Sequence, residues 1–476
     1  MALSCPIRAG AARQPEALAL TFKGQRWTYG ELDEEVGRWV AALQSRGVRA
    51  GDRVALLATN HAPVACLFFA LGRVGAVLAP LNARLTQAEL RPLVEDVAPV
   101  LSLALEGLRT RLPGAEPLES FAATQSLRHS EPLEESTPRV VLFTSGTTGR
   151  PKGAVLTEGN FRASARCSAA NLGAHPAPRW LGTLPLFHVG GLAMLTRTAY
   201  DGGCLVLQER FEPEDANRAI DTEGITHASF VATTLERLLD ARSDRPVPSS
   251  VLALIGGGPV SSPLLARARA AGILALQTYG LTEACSQVAT ERPSEVDGRT
   301  AGPPLPGLEV RITGPGGEEL GQGREGDIEV RGPTVMAGYL NRPDATHEVL
   351  RDGWLRTKDI GLLDERGRLT ILSRRTDLIV RGGENIYPAE VETVLSSHPA
   401  VQESAVVGIP DARWGEVPVA FVVTRGDSPL PEDIEAWCRK SLAGFKVPAR
   451  FQPIDALPRN AMGKVERTVL RGLATR

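Results

Sequence analysis

The chain has 476 residues, enough for about three domains of ordinary size, and its 53 basic and 55 acidic side chains leave a formal charge of −2. That balance supplies no overall field for gathering nucleic acid or an anionic membrane, so any basic site has to be local. Only six of the basic residues are lysine (Lys23, Lys152, Lys358, Lys440, Lys446 and Lys464), while Gly and Pro, at 48 and 35, mark a globular chain with many turns.

The first twenty residues lack a charged stretch followed by an apolar one, which reads against secretion. Six well-separated cysteines (Cys5, Cys66, Cys167, Cys204, Cys285, Cys438) form no CxxC pair and no zinc-like spacing with histidine, so they read as reduced, buried thiols of a cytoplasmic protein. The run APVACLFFALGRVGAVLAP at 62–80 is interrupted by Gly72 and Arg73 and reads as a buried helix followed by a strand, not as a membrane span. From residue 53 to about 278, short β-rich runs alternate with helical patterns, which implies βαβ units. The fold class is therefore α/β: a large N-terminal domain of parallel-rich sheets covered by helices. Between 108 and 138 the apolar periodicity lapses, leaving loops around at most one short element. After Gly302 short strands joined by Gly-rich turns predict an antiparallel β subdomain to about 376. A small α+β C-terminal domain follows from 377 to 476, with helices at 388–397 and 431–442, and the last 38 residues carry nine basic against two acidic side chains.

The densest chemistry lies in RVVLFTSGTTGRPKGAVL, residues 139–156. A strand, a loop of small and hydroxyl residues, one lysine and a second strand make a polyphosphate cradle. In it Gly146 and Gly149 let backbone N–H groups approach an anion, Thr144, Ser145, Thr147 and Thr148 donate, and Lys152 adds a charge. No Walker A string is present. The loop resembles the phosphate loop of the adenylate-forming superfamily of acyl-CoA synthetases, luciferases and peptide-synthetase adenylation domains. Six more strings follow in that family's order: LPLFHVGG, GGGP, YGLTEACS, GWLRTKDIG, SRRTDLIVRGGENIYPAEVE and PRNAMGKVER.

The resemblance implies an enzyme that joins a small carboxylic acid to a thiol through an acyl-adenylate, with ATP, Mg²⁺ and CoA as co-reactants. Tyr279 and Gly280, with Gly257 and Gly258, would hold the adenine; Thr282 and Glu283 would serve Mg²⁺ and the phosphates; Asp359 and Arg374 would take the ribose hydroxyls. His188 would orient the carboxylate and Lys464 would bridge the reacting anions. Asp377 would be the hinge that swings Lys464 away and brings the loop around Gly383 to the thiol channel. Lys358 and Ser373 depart from the family's usual glycines. Among family branches, residues 183–197, 255–259 and 277–287 resemble the o-succinylbenzoate:CoA ligases of menaquinone synthesis. That acid has a second carboxylate, for which Arg197 is the candidate partner, with Ser286 and Gln287 adding polar contacts. An internal salt bridge is the competing reading of Arg197. Other aryl- or short-chain acyl-CoA ligases, and loading of a carrier protein, remain alternatives, and a homo-oligomer is left open.

Overall fold

In the computed structural model, residues 5–127, 133–144, 151–243, 245–258, 260–374, 377–381, 384–411, 413–426, 430–460 and 463–475 are described. Two parallel-rich sheets dominate the first 340 residues. The seven-stranded sheet runs Gly338–Tyr339, Lys152–Thr157, Pro138–Thr144, Val77–Leu81, Arg53–Leu57, Leu101–Ala104, Glu116–Pro117, its last five strands parallel. The eight-stranded sheet runs Ser286–Thr290, Ile273–Leu281, Val251–Ile255, His227–Phe230, Arg179–Gly182, Cys204–Leu207, Leu18–Phe22, Gln25–Thr28, with an antiparallel strand at each edge.

Strands buried on both faces need continuous apolar sequence, and VLAPL and CLVL supply it. One hydrophobic core joins both sheets through the helices Tyr29–Ser45, Ala62–Val74 and Val189–Tyr200. Ala62–Val74 is the long apolar run: Pro63 lies in its first turn, Gly75 ends it at φ +76, and the strand Val77–Leu81 follows. Arg73 is fully buried and ion-paired with Asp33, which is how a cation fits inside that run. Among the described residues, no helix is long and apolar enough to cross a membrane.

Beyond residue 300 the architecture changes as the turn-rich sequence requires. An antiparallel sheet is built from Glu309–Thr313, Gly326–Arg331, Trp354–Leu363, Leu350–Arg351 and Leu369–Arg374. A further sheet carries Glu384–Ile386, Ile379–Arg381, Gly415–Thr424, Val401–Asp411 and Arg450–Pro453, flanked by the helices Pro388–Ser396, Ile434–Ser441 and Arg467–Ala474.

Three details differ from expectation. The helix expected at 431–442 starts only at Ile434, because the Ile434 amide closes a turn onto the Pro431 carbonyl first. Residues 106–117 form a 3₁₀ turn and a two-residue strand, two short elements instead of one. The N-terminal 45 residues, unassigned from sequence, contribute an edge hairpin and two helices to the main core.

Candidate functional site

The parallel strands Arg179–Gly182, Val251–Ile255 and Ile273–Leu281 end on one edge of the eight-stranded sheet, the edge at which open α/β sheets bind ligands. The segments leaving the first two carry His188 and Gly256–Gly258, and the last strand carries Tyr279 near its end. The Tyr279 hydroxyl donates to Oδ2 of Asp359 at 2.6 Å, and both residues are buried. Asp359 stands directly opposite Arg374 in the antiparallel pair Trp354–Leu363/Leu369–Arg374; the Arg374 side chain lies outside the described residues. Tyr279 thus ties the large sheet to the β subdomain at the proposed ribose carboxylate.

Gly280 has a packing reason of its own. A Cβ there would stand 1.7 Å from the Ser286 carbonyl oxygen, at the neck of the hairpin that returns as Ser286–Thr290. Gly257 is left-handed at φ +84, and among the described residues, chain neighbours aside, no atom lies within 4 Å of a Cβ placed on Gly258, so backbone there is open to close approach by a ligand.

Glu283 lies in the 3₁₀ turn Thr282–Ala284. Its Oε1 accepts from the Tyr339 hydroxyl at 2.9 Å, and its carbonyl accepts from the Met336 amide at 2.8 Å. The Lys152 ammonium sits 5.5 Å from the centre of the Tyr339 ring, so one tyrosine bridges the lysine of the phosphate loop and the candidate metal carboxylate. Lys152 faces Thr144 across the hairpin neck. Ser145, Gly146, Thr147, Thr148 and Gly149 between them, like Gly383, lie outside the described residues.

His188 is half-buried at the start of helix Val189–Tyr200. Burial first, then the charges of Arg84 and Lys464, push its imidazole down to about 4, so it is neutral near pH 7. The charge of Lys464, 276 positions further along the chain, thus reaches His188. This lysine is exposed on a tight turn in which the Asn460 amide donates to its carbonyl at 2.9 Å.

Lys358, unexplained by sequence, adopts φ +64, the left-handed region that glycine enters freely. Its ammonium pairs with Glu348 at 2.6 Å. That hydrogen bond, with the charges of Lys358 and of Lys152, holds the Glu348 carboxyl below the usual range. Asp377 is paired with Arg467 at 3.4 Å and Arg471 at 3.5 Å, so the expected hinge residue is tied to the C-terminal helix.

Arg197 is buried on the same helix as His188, with its guanidinium 5.0 Å from the Trp180 ring and Nη2 donating to Oε1 of Gln287 at 2.6 Å. Among the described residues no carboxylate lies within ion-pair distance of it, and its Nε has no partner. The internal salt bridge is thereby excluded among those residues. Burial pushes Arg197 down to about 10, against the opposing pull of Asp201. Gln287, expected to add a polar contact to the substrate, turns its amide oxygen to Arg197 and its amide nitrogen to Thr290. Ser286 is half-buried at φ +90.

Sequence reading missed Tyr339, Arg84, Trp180 and Thr290. For Tyr339 the one available signal was scarcity, since the chain has five tyrosines and two of them, Tyr279 and Tyr339, bond carboxylates at this site.

These residues define an adenylate-forming class of enzyme. Residues 7–340 match the model of the AMP-binding enzyme family and residues 390–464 that of the AMP-binding enzyme C-terminal domain; the chain belongs to this family. It is 41% identical over 470 residues to the 2-succinylbenzoate–CoA ligase of Geobacillus kaustophilus (strain HTA426), covering 96% of this chain and 95% of that one. Among solved structures it is similar to o-succinylbenzoate CoA synthetase from Bacillus subtilis in complex with the acyl-adenylate intermediate, with TM-score 0.92, 36% identity and 99% and 98% of the two chains covered. The same enzyme in complex with ATP and magnesium ion gives TM-score 0.91 and 36% identity, with 99% and 100% covered.

Proposed function

We propose that the protein is an ATP-dependent acid–CoA ligase that activates 2-succinylbenzoate as its acyl-adenylate and transfers the acyl group to CoA. The observation that carries the choice of acid is Arg197, a buried cation that among the described residues donates to an amide oxygen and makes no ion pair, on the helix that His188 begins. A dicarboxylate activated at one end supplies a directly pairing anion at the other, whereas a monocarboxylate would leave the guanidinium without an ion pair among the described residues. The relatives named above support the reading.

In the first step a carboxylate oxygen of the acid attacks the α-phosphorus of ATP, and the bond to the departing pyrophosphate breaks. Anion meets anion, so the barrier is electrostatic, and a fixed ammonium spanning both lowers it. That the charge of Lys464 reaches His188 supports this role for it. A neutral His188 can orient the carboxylate by hydrogen bonding without competing as a second cation. Lys152 and the loop before it would hold the leaving phosphates, and Tyr279 would fix Asp359 so that its other oxygen serves the ribose. Glu283 and Thr282 would hold Mg²⁺, which screens the phosphate charge when bound. Among the described residues no cluster of three or more histidines, cysteines or acids could cage a metal, and this suits an ion that takes most of its ligands from phosphate and water. In the second step the CoA sulfur attacks the acyl carbon and AMP leaves. Residues 377–476 form the mobile domain that alternates between the two steps, with residues 1–376 as the acid- and ATP-binding domain. Buried thiols without CxxC pairs suit a reducing compartment, and we place the protein in the cytoplasm.

The test is an acid panel with Mg·ATP, reading pyrophosphate, followed by CoA and detection of thioester by mass. The expected result is pyrophosphate and thioester with 2-succinylbenzoate. Pyrophosphate with benzoate or a fatty acid alone overturns the choice of acid, and adenylation without transfer to CoA points to a carrier protein.

A further inference from the structure

Arg197 is set in place by a one-directional chain of hydrogen bonds. Thr278 has a single O–H, which donates to the Ala289 carbonyl at 3.0 Å. The Thr278 oxygen, 2.7 Å from that of Thr290, is therefore the acceptor of the Thr290 proton. With its proton committed, the Thr290 oxygen accepts from Nε2 of Gln287 at 2.8 Å. The Gln287 amide is left with only one orientation, Oε1 toward Nη2 of Arg197 at 2.6 Å. Every link donates the same way, from the guanidinium to a main-chain carbonyl. Gln287, Thr290 and Arg197 are all buried, so a reversed amide would press its NH₂ against a guanidinium with no water to relieve it. On the other side the cation lies over Trp180, whose ring is backed by stacked His227 at 4.8 Å.

From this geometry we infer that Gln287, Thr290 and Thr278 are positioning residues for the acid's second carboxylate: they act through Arg197 and do not touch the acid. The relay uses only neutral groups. A carboxylate at 287 would satisfy the arginine internally and remove its need for a substrate anion, whereas an amide holds the cation while leaving its charge available. This deepens the proposed function and rests on 2-succinylbenzoate being the substrate.

The test compares kcat/KM for 2-succinylbenzoate with that for an analogue lacking the second carboxylate, in the full-length protein. Thr290→Val keeps the shape and removes both relay hydrogen bonds. It should raise KM for the dicarboxylate about tenfold while KM for the monocarboxylate and for ATP stays within twofold, and Thr290→Ser should restore the wild-type values. Gln287→Glu should abolish the preference for the dicarboxylate. Equal losses for both acids in Thr290→Val, or failure of Thr290→Ser to rescue, would overturn the relay, as would an undiminished preference in Gln287→Glu. Absence of any preference in the wild type would overturn the acid assignment itself, and the relay with it.

Discussion

The nucleotide end and the acid end of this site are built by opposite means. At the proposed nucleotide end the groups come from turns and strand termini, and charges are matched within the protein: Tyr339 stands between Lys152 and Glu283, and Lys358 pairs with Glu348 beside Asp359. At the acid end one cation is buried on a helix and held by an aromatic face and a neutral amide. A triphosphate carries its own charge and metal, so its site can be open and self-neutralised. A small acid has to be recognised by an unmet charge, and such a charge survives burial only where neutral dipoles hold it.

The sharpest way to break the contrast is Lys464→Ala. Removal of the mobile ammonium should lower the rate of adenylation by roughly 10²- to 10³-fold while thioester formation from supplied acyl-adenylate is spared, measured as separate half-reactions. Equal damage to both halves would remove Lys464 from its role. At the acid end, Arg197→Ala should cost about 100-fold in kcat/KM for the dicarboxylate and little for a monocarboxylate. ATP dependence should be unchanged, because the nucleotide end stands apart.

Legibility followed the same division. The candidate nucleotide groups, Lys152, Glu283 and Lys464 among them, lie in contiguous strings, and the order of those strings pointed to the family that the chain belongs to. The parallel and antiparallel sheets were legible for the similar reason that apolar runs and Gly-rich turns are local. The acid end was only half legible: Arg197 stood out as a cation in an apolar helix, but its partners lie 17 positions before it and 90 or more after it, and only the fold joins them. Gln287 accordingly read as a substrate contact, and its bond to Arg197 became visible only in the fold. Lys358 looked anomalous until its φ of +64 explained why glycine is usual there.

Smaller effects refine the contrast. Gly280→Ala forces a Cβ onto the Ser286 carbonyl and should destabilise the protein by about 2–3 kcal/mol, read by denaturant titration, because the adenine-side hairpin has no room to move. At the acid end, burial, followed by the charges of His175 and Arg197, pushes His227 down to about 4. The unfolded chain takes up this proton near pH 6.5 and the folded one only near 4, so stability is lost as pH falls through that window. Asp201, raised to about 6 by burial, works in the opposite direction, so the readout is the difference between wild type and His227→Gln. Between pH 7.5 and 5 the wild type should lose about 1–2 kcal/mol more than the variant. Least of all should come from Lys358→Gly: relief of the left-handed backbone and loss of an exposed ion pair offset each other to within about 1 kcal/mol, leaving the melting temperature nearly unchanged.

The most direct measurement is acid-dependent exchange of labelled pyrophosphate into ATP in the absence of CoA. Exchange reports reversible acyl-adenylate formation before any thiol takes part. With 2-succinylbenzoate the label should enter ATP, with a monocarboxylate analogue it should enter far more slowly, and with no acid it should not enter. Exchange that requires CoA, or that proceeds equally with the monocarboxylate, would contradict an acyl-adenylate mechanism selected by Arg197.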